Sequence, residues 1–165
     1  MKVFFFLFLI ALSSASAATK QIDERLIISG NSYFIGARPL HELYEPDDLT
    51  KLLKPELCTA SWRGYRGDWE IVEGKLLLNS IEKNPCHDGY EEVEAILLFK
   101  KKEYPIFAEW FTGEIELQVS ETEYLFEDND EDKDLLGVNY NAVVFSFKSG
   151  ILISTDLKQR KRRYN

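Results

Sequence analysis

The chain has 165 residues, 28 acidic and 20 basic, a formal net charge of −8 at pH 7 and 13% aromatic side chains. The excess of acid argues against nucleic acid or an anionic membrane as the main partner, and the aromatic content is not that of a disordered chain. The length suits one domain with a sizeable core.

The first stretch, MKVFFFLFLIALSSASAATK, predicts a secretory signal peptide over residues 1–17. Lys2 supplies the positive end, Val3 to Leu12 are all apolar, and Ala15-Ser16-Ala17 is a small-residue cleavage site. Ten apolar residues are too few to span about 30 Å of hydrocarbon. No other stretch is apolar enough to cross a bilayer, so the expectation is a periplasmic or secreted product with no transmembrane segment. Loss of Lys2 leaves 19 basic residues against 28 acidic, a net charge of −9.

Beyond the leader, ERLIISGNSYFIG predicts two short strands meeting at Gly30-Asn31. ARPLHELYEPDDLTKLLKPE carries the one good helical signal. Pro39 and Pro46 split it, and Asp47 or Asp48 is placed to cap a short helix ending before Pro55.

SWRGYRGDWEIVEGKLLLNS, Ser61 to Ser80, predicts a hairpin. A two-residue loop at Glu73-Gly74 sets Val72 opposite Lys75, Ile71 opposite Leu76, Glu70 opposite Leu77 and Trp69 opposite Leu78. Side chains alternate faces along a strand. One face then collects Trp69, Ile71, Leu76 and Leu78, with Tyr65 further along, and the other carries Arg66, Asp68, Glu70, Lys75 and Asn79. One register sorts both strands, which assigns Trp69 to the core. Trp62, Arg63 and Arg66 precede that sorted region, and arginine with aromatics is the composition of binding hot spots. Trp62 points to the same side as Arg66 unless a bulge at Gly64 buries it. These three are the candidate binding residues.

Cys58 and Cys86 flank the open end of the hairpin, and in an exported chain with two cysteines a disulfide between them is the expected pairing. Cys86-His87-Asp88 contains metal-ligand types, but immediate neighbours rarely converge on one ion.

Further on, VEAILLF, Val93 to Phe99, predicts a buried strand, and Glu114 to Ser120 a strand alternating Ile115, Leu117 and Val119 with Glu114, Glu116 and Gln118. AVVFSFKSGILIST predicts a second hairpin with a three-residue loop, Lys148-Ser149-Gly150, pairing Phe147 with Ile151 and Phe145 with Ile153. The fold class expected is mainly β: a single antiparallel meander, as a sheet or an open barrel, with one or two short helices. It occupies residues 18–157 and is followed by a basic tail at 158–165.

WRGYRGDWEIVEGKLLL followed by IFAEWFTGEIEL resembles a bacterial family of uncharacterised small proteins that share a W-R-G-Y stretch, a W-E-I…K-L-x-L hairpin and an F-A-x-W-F-x-G segment. The resemblance extends over most of Asp23 to Ser154. It implies a bacterial origin, and it carries over no activity and no catalytic residue.

Chemistry is sparse. The chain lacks G-x-S-x-G, P-loop, H-E-x-x-H and dinucleotide fingerprints, and its two histidines, His41 and His87, sit in no triad setting. Glu109, between Phe107-Ala108 and Trp110-Phe111, is the carboxylate best placed for a raised pKa and general-acid work, with Glu114 as its companion. The rival reading makes it the outward residue of an edge strand. Asp128, Asp130, Asp132 and Asp134 fall at alternate positions, as in an EF-hand. Lys133 stands where the sharp turn needs glycine, however, and Asn139 where a bidentate glutamate belongs, so calcium is a weak expectation and no other cofactor is expected. Lys158, Arg160, Lys161, Arg162 and Arg163 form a basic end, expected to fray or to contact the acidic loop or an anionic envelope polymer. The sequence as a whole points to an exported non-catalytic binding or interaction domain whose partner is an unknown protein or envelope component. The alternatives are a small periplasmic hydrolase using carboxylates, or an envelope structural component.

Overall fold

The computed structural model describes residues 19–87, 89–100, 103–126 and 135–164. The expected leader, Asp88, and the acidic run holding Asp128, Asp130, Asp132 and Asp134 lie outside the described residues.

Strands β1 (Glu24–Ile28) and β2 (Asn31–Ile35) pair antiparallel. Their turn is Ser29-Gly30, one residue earlier than expected, with both residues at positive φ. Pro39–Glu42 is a 3₁₀ turn, and helix α1 spans Pro46–Leu53. Pro46 takes the first helical turn, where a missing N–H costs nothing. Glu45 is the N-cap without a side-chain bond, so Asp47 and Asp48 do not cap the helix. They sit in its first turn, where their charge meets the positive end of the helix dipole.

Strands β3 (Tyr65–Val72) and β4 (Lys75–Lys83) form the expected hairpin about Glu73-Gly74, with all four predicted pairs in place. Trp69, Leu76, Leu78 and Tyr65 are buried. Asn79 is then the extra residue of a bulge: Trp69 faces Leu78 but Asp68 faces Ser80. The bulge resets the alternation, so Ile81 turns inward while Glu82 joins the outer face beside Arg66. β1 adds to β3 in parallel, Arg25 beside Asp68 and Leu26 beside Trp69. That pair departs from a pure antiparallel meander and needs a long crossover, which the 3₁₀ turn, α1 and the turn before β3 provide.

The other edge of β4 is covered in succession by the start of β10 (Ile151–Arg163), by β6 (Ile106–Phe107) and by β5 (Glu91–Glu92). Helix α2 (Ala95–Leu98) replaces the strand expected at Val93–Phe99. One helical turn buries Ala95 and Leu98 and leaves Ile96 and Leu97 exposed. Strands β7 (Gly113–Gln118) and β8 (Glu123–Phe126) follow each other along β9 (Leu135–Lys148), whose far side pairs with β10. The main path through the sheet is β2-β1-β3-β4-β10-β9-β7. Its inner face shares one core, in which Leu26, Trp69, Ile115 and Phe147 meet Leu49 and Leu53 of α1.

The β9–β10 loop has two residues, Ser149-Gly150, and not three: Ile151 faces Lys148 and Leu152 faces Phe147. A slip of one residue exchanges the faces of a strand. Leu152 therefore packs against the core, while Ile151 and Ile153 are 42% and 63% exposed. A bulge at Ile153 then brings Thr155 opposite Phe145. Gly150 is needed twice over, for its φ of +74° and because a Cβ would lie 2.5 Å from the Ala108 carbonyl oxygen.

The basic segment is not a frayed tail. β10 stays paired with β9 as far as Arg163 opposite Gly137, so it runs through the boundary expected at residue 157. Lys158 meets Glu114 at 2.9 Å and Arg160 meets Glu116 at 2.6 Å, both on β7; the acidic loop expected to meet this segment lies outside the described residues. Among the described residues no helix is long and apolar enough to cross a membrane.

Candidate functional site

The turn that carries Trp62 is tied at several points. Cys58 and Cys86 are disulfide-bonded with their Cα atoms 6.6 Å apart, and Cys58 and Ser61 form an antiparallel bridge. Gln21 straddles the turn: its amide donates to the Thr59 carbonyl at 2.7 Å and its oxygen accepts the Trp62 N–H at 3.1 Å. Gly64 has a φ of +67°, and a Cβ there would lie 2.3 Å from Pro55. Trp62 is 72% exposed.

Arg63 turns the other way, into the core face. It pairs with Glu24, donates to the Ile22 carbonyl at 2.7 Å and lies 5.3 Å from the centre of the Tyr65 ring. Glu24 is 2% exposed and also accepts the Gly67 N–H at 2.7 Å and the Trp69 indole N–H at 3.0 Å. Gly67 leaves room for this, since a Cβ would lie 2.5 Å from the Glu24 carboxylate. Burial holds the Glu24 carboxyl above the usual carboxylate range, against the pull of Arg63 and the two donors. Tyr65 meets His41 Nε2 at 2.9 Å. Burial pushes Tyr65 up to about 12 and, with Arg38 and Arg63 adding to it, lowers His41. These groups satisfy one another.

Arg66 lies on the opposite face of the sheet. It pairs with Glu82, and Arg25 pairs with Asp68 and, at 3.4 Å, with Glu82. The two arginine side chains close over Asp68 and Glu82, which are buried. The bulge at Asn79 brings Glu82 opposite Arg66, a partner that unbroken alternation conceals.

The three expected binding residues therefore do not converge. Trp62 is exposed, whereas Arg63 on one face and Arg66 on the other are both largely buried and ion-paired. Arg66 lines a shallow hollow of about 300 Å³ with Lys20, Gln21, Ile22, Asp23 and Phe34. Gln21 links that hollow to Trp62, and Phe34, 64% exposed, stands on its wall. Phe34 escapes sequence reasoning because only the β1–β2 register, with Arg25 opposite Phe34, puts it on this face.

Glu109 is exposed on the rim of a second hollow, about 410 Å³, with Tyr44, Phe99, Phe107 and Trp110. The Phe99 and Trp110 rings stack at 5.5 Å. Among the described residues Glu109 is the single acid in that lining, which also includes Lys100. Glu114, its expected companion, is engaged with Lys158 and Arg160 on the outer face of the sheet, so the two carboxylates are not paired. Among the described residues no group of three His, Cys, Asp or Glu side chains is placed to hold a metal ion.

Comparison of the chain with protein-family models, with curated proteins and with solved structures finds no match.

Proposed function

We propose that the chain is an exported, non-catalytic binding domain whose partner surface is the Trp62 turn and the adjoining hollow walled by Phe34 and Arg66. The observation that carries this reading is Trp62 itself: a large apolar side chain in water, on a turn held by a disulfide and by Gln21. Ordering such a turn in advance lowers the entropy lost on binding, and tryptophan and arginine are the residue types that dominate binding energy. Export is supported by the apolar leader and by the disulfide, which persists in oxidising compartments. The partner is a protein or another envelope component presenting an apolar group to Trp62 and an acceptor to Arg66.

Trp62→Ala and Phe34→Ala are expected to keep the parent melting temperature and to lose capture of partners from envelope extract. Undiminished capture by the Trp62→Ala, Phe34→Ala double variant would overturn the assignment.

A further inference from the structure

We propose that β10 is a self-association edge, and that two copies of the chain pair antiparallel through it about a two-fold axis at Leu157. One side of β10 is taken by β9, while β4 meets it only at Ile151. Beyond the bulge at Ile153, the second edge of the strand is unpaired among the described residues. The Tyr164 N–H donates to the Leu136 carbonyl of β9. Backbone groups alternate sides along an antiparallel ladder, so the N–H and C=O groups of Thr155, Leu157 and Gln159 face the open edge.

Charge selects the register. A two-fold axis at Asp156, Lys158 or Arg160 sets like charges face to face on the axis. One at Gln159 sets Lys158 against Arg160. Centring on Leu157 places Asp156 of each copy opposite Lys158 of the other, on both sides of the axis, and directly opposed unlike charges stabilise a sheet pair. The same register pairs Thr155 with Gln159 through the backbone. Leu157 is 72% exposed, yet it lies in a row with Val143 and Leu117 across β9 and β7. Pairing joins that row to its counterpart, Leu157 against Leu157, and covers an apolar side chain that the single chain leaves in water. Lys161, Arg162 and Arg163 fall outside the stretch from Thr155 to Gln159, and their charge discourages addition of further strands. The interface is isologous and closes on itself as a dimer.

Sedimentation velocity on the purified protein, across a concentration series, is expected to show a dimer. Asp156→Lys and Lys158→Asp, each verified as folded by circular dichroism, are expected to be monomeric alone. An equimolar mixture of the two is expected to restore the dimer, because the new lysine of one copy then faces the new aspartate of the other. Independently, Leu157→Cys is expected to cross-link into a reducible dimer on mild oxidation, whereas Ile153→Cys, also exposed, is not. A monomeric parent, a dimer indifferent to both charge reversals, a mixture that stays monomeric, or equal cross-linking at both positions would each overturn the proposal.

Discussion

Arg63 and Glu24 form an ion pair on the inner face of the sheet, between the turn before β3 and the first residue of β1. The carboxylate is fully buried, and its remaining capacity is met by Gly67 and Trp69. Removing one partner of such a pair strands a charge in a low-dielectric setting, which costs about 3–5 kcal/mol. Arg63→Ala is therefore expected to lower unfolding stability by that amount in a urea titration. Glu24→Gln is expected to cost less, since an amide oxygen still accepts from Gly67 and Trp69. A loss below about 1 kcal/mol in Arg63→Ala, the range of an exposed ion pair, would show that the pair does not hold the turn to β1.

The same cluster gives stability a pH dependence with two opposed parts. Burial raises Glu24 above its ordinary value of 4.5. An acid with a raised native pKa binds its proton more tightly folded than unfolded, so its contribution is complete below about 4.5 and is lost as the pH rises through the window above. His41 is lowered from 6.5, mainly by burial. The unfolded chain then takes up that proton first, so stability is lost as the pH falls below about 6.5. Denaturant titrations across the mildly acidic range are expected to show His41→Gln losing the second dependence and Glu24→Gln the first. Parallel curves for the parent and Glu24→Gln would mean that Glu24 does not titrate with the fold.

Trp69 combines a packing role with a polar one, and two substitutions separate them. Trp69→Ala empties a large core volume and is expected to cost about 3–5 kcal/mol. Trp69→Phe keeps much of the ring contact but removes the indole donor to Glu24, and leaving a buried acceptor short of a partner costs about 1–3 kcal/mol. Equal losses in the two variants would reduce Trp69 to a space-filling role.

The β3–β4 hairpin was legible because its information is local. Glu73-Gly74 sets the register, and the alternation on both strands agrees with it. The second hairpin departs by one residue from its expected register because Lys148-Ser149-Gly150 suits a three-residue loop as well as a two-residue one. Only Ser149 at a φ of +49° decides between them. Val93–Phe99 is an apolar run without a period, and such runs do not distinguish a strand from a buried helical turn. The roles of Arg63 and Arg66 were hidden for a different reason. Their partners, Glu24 and Glu82, are placed by the parallel β1–β3 pair and by the bulge at Asn79, and neither leaves a mark in the local pattern. Two arginines that resemble a binding patch in one dimension are divided between the two faces of a sheet in three.

The end of β10 provides a test at single-residue resolution. Tyr164 donates to Leu136, and the register with β9 runs without interruption from Ser154 to Arg163. Alternation then directs the amides of Lys158, Arg160 and Arg162 toward β9 and those of Gln159, Lys161 and Arg163 away from it. Hydrogen exchange followed by NMR is expected to be slow at the first three positions and fast at Lys161 and Arg163. Gln159 is expected to be protected in the parent and unprotected in Asp156→Lys, because its amide is covered only by the second copy. Arg160→Ala removes surface ion pairs, partly open to water, with Glu114 and Glu116, a loss of about 1 kcal/mol, so the alternation is expected to survive it. Uniformly fast exchange from Lys158 to Arg162 would mean that the strand frays, that Glu114 and Glu116 lie open to solvent, and that β10 offers no edge for a second chain to meet.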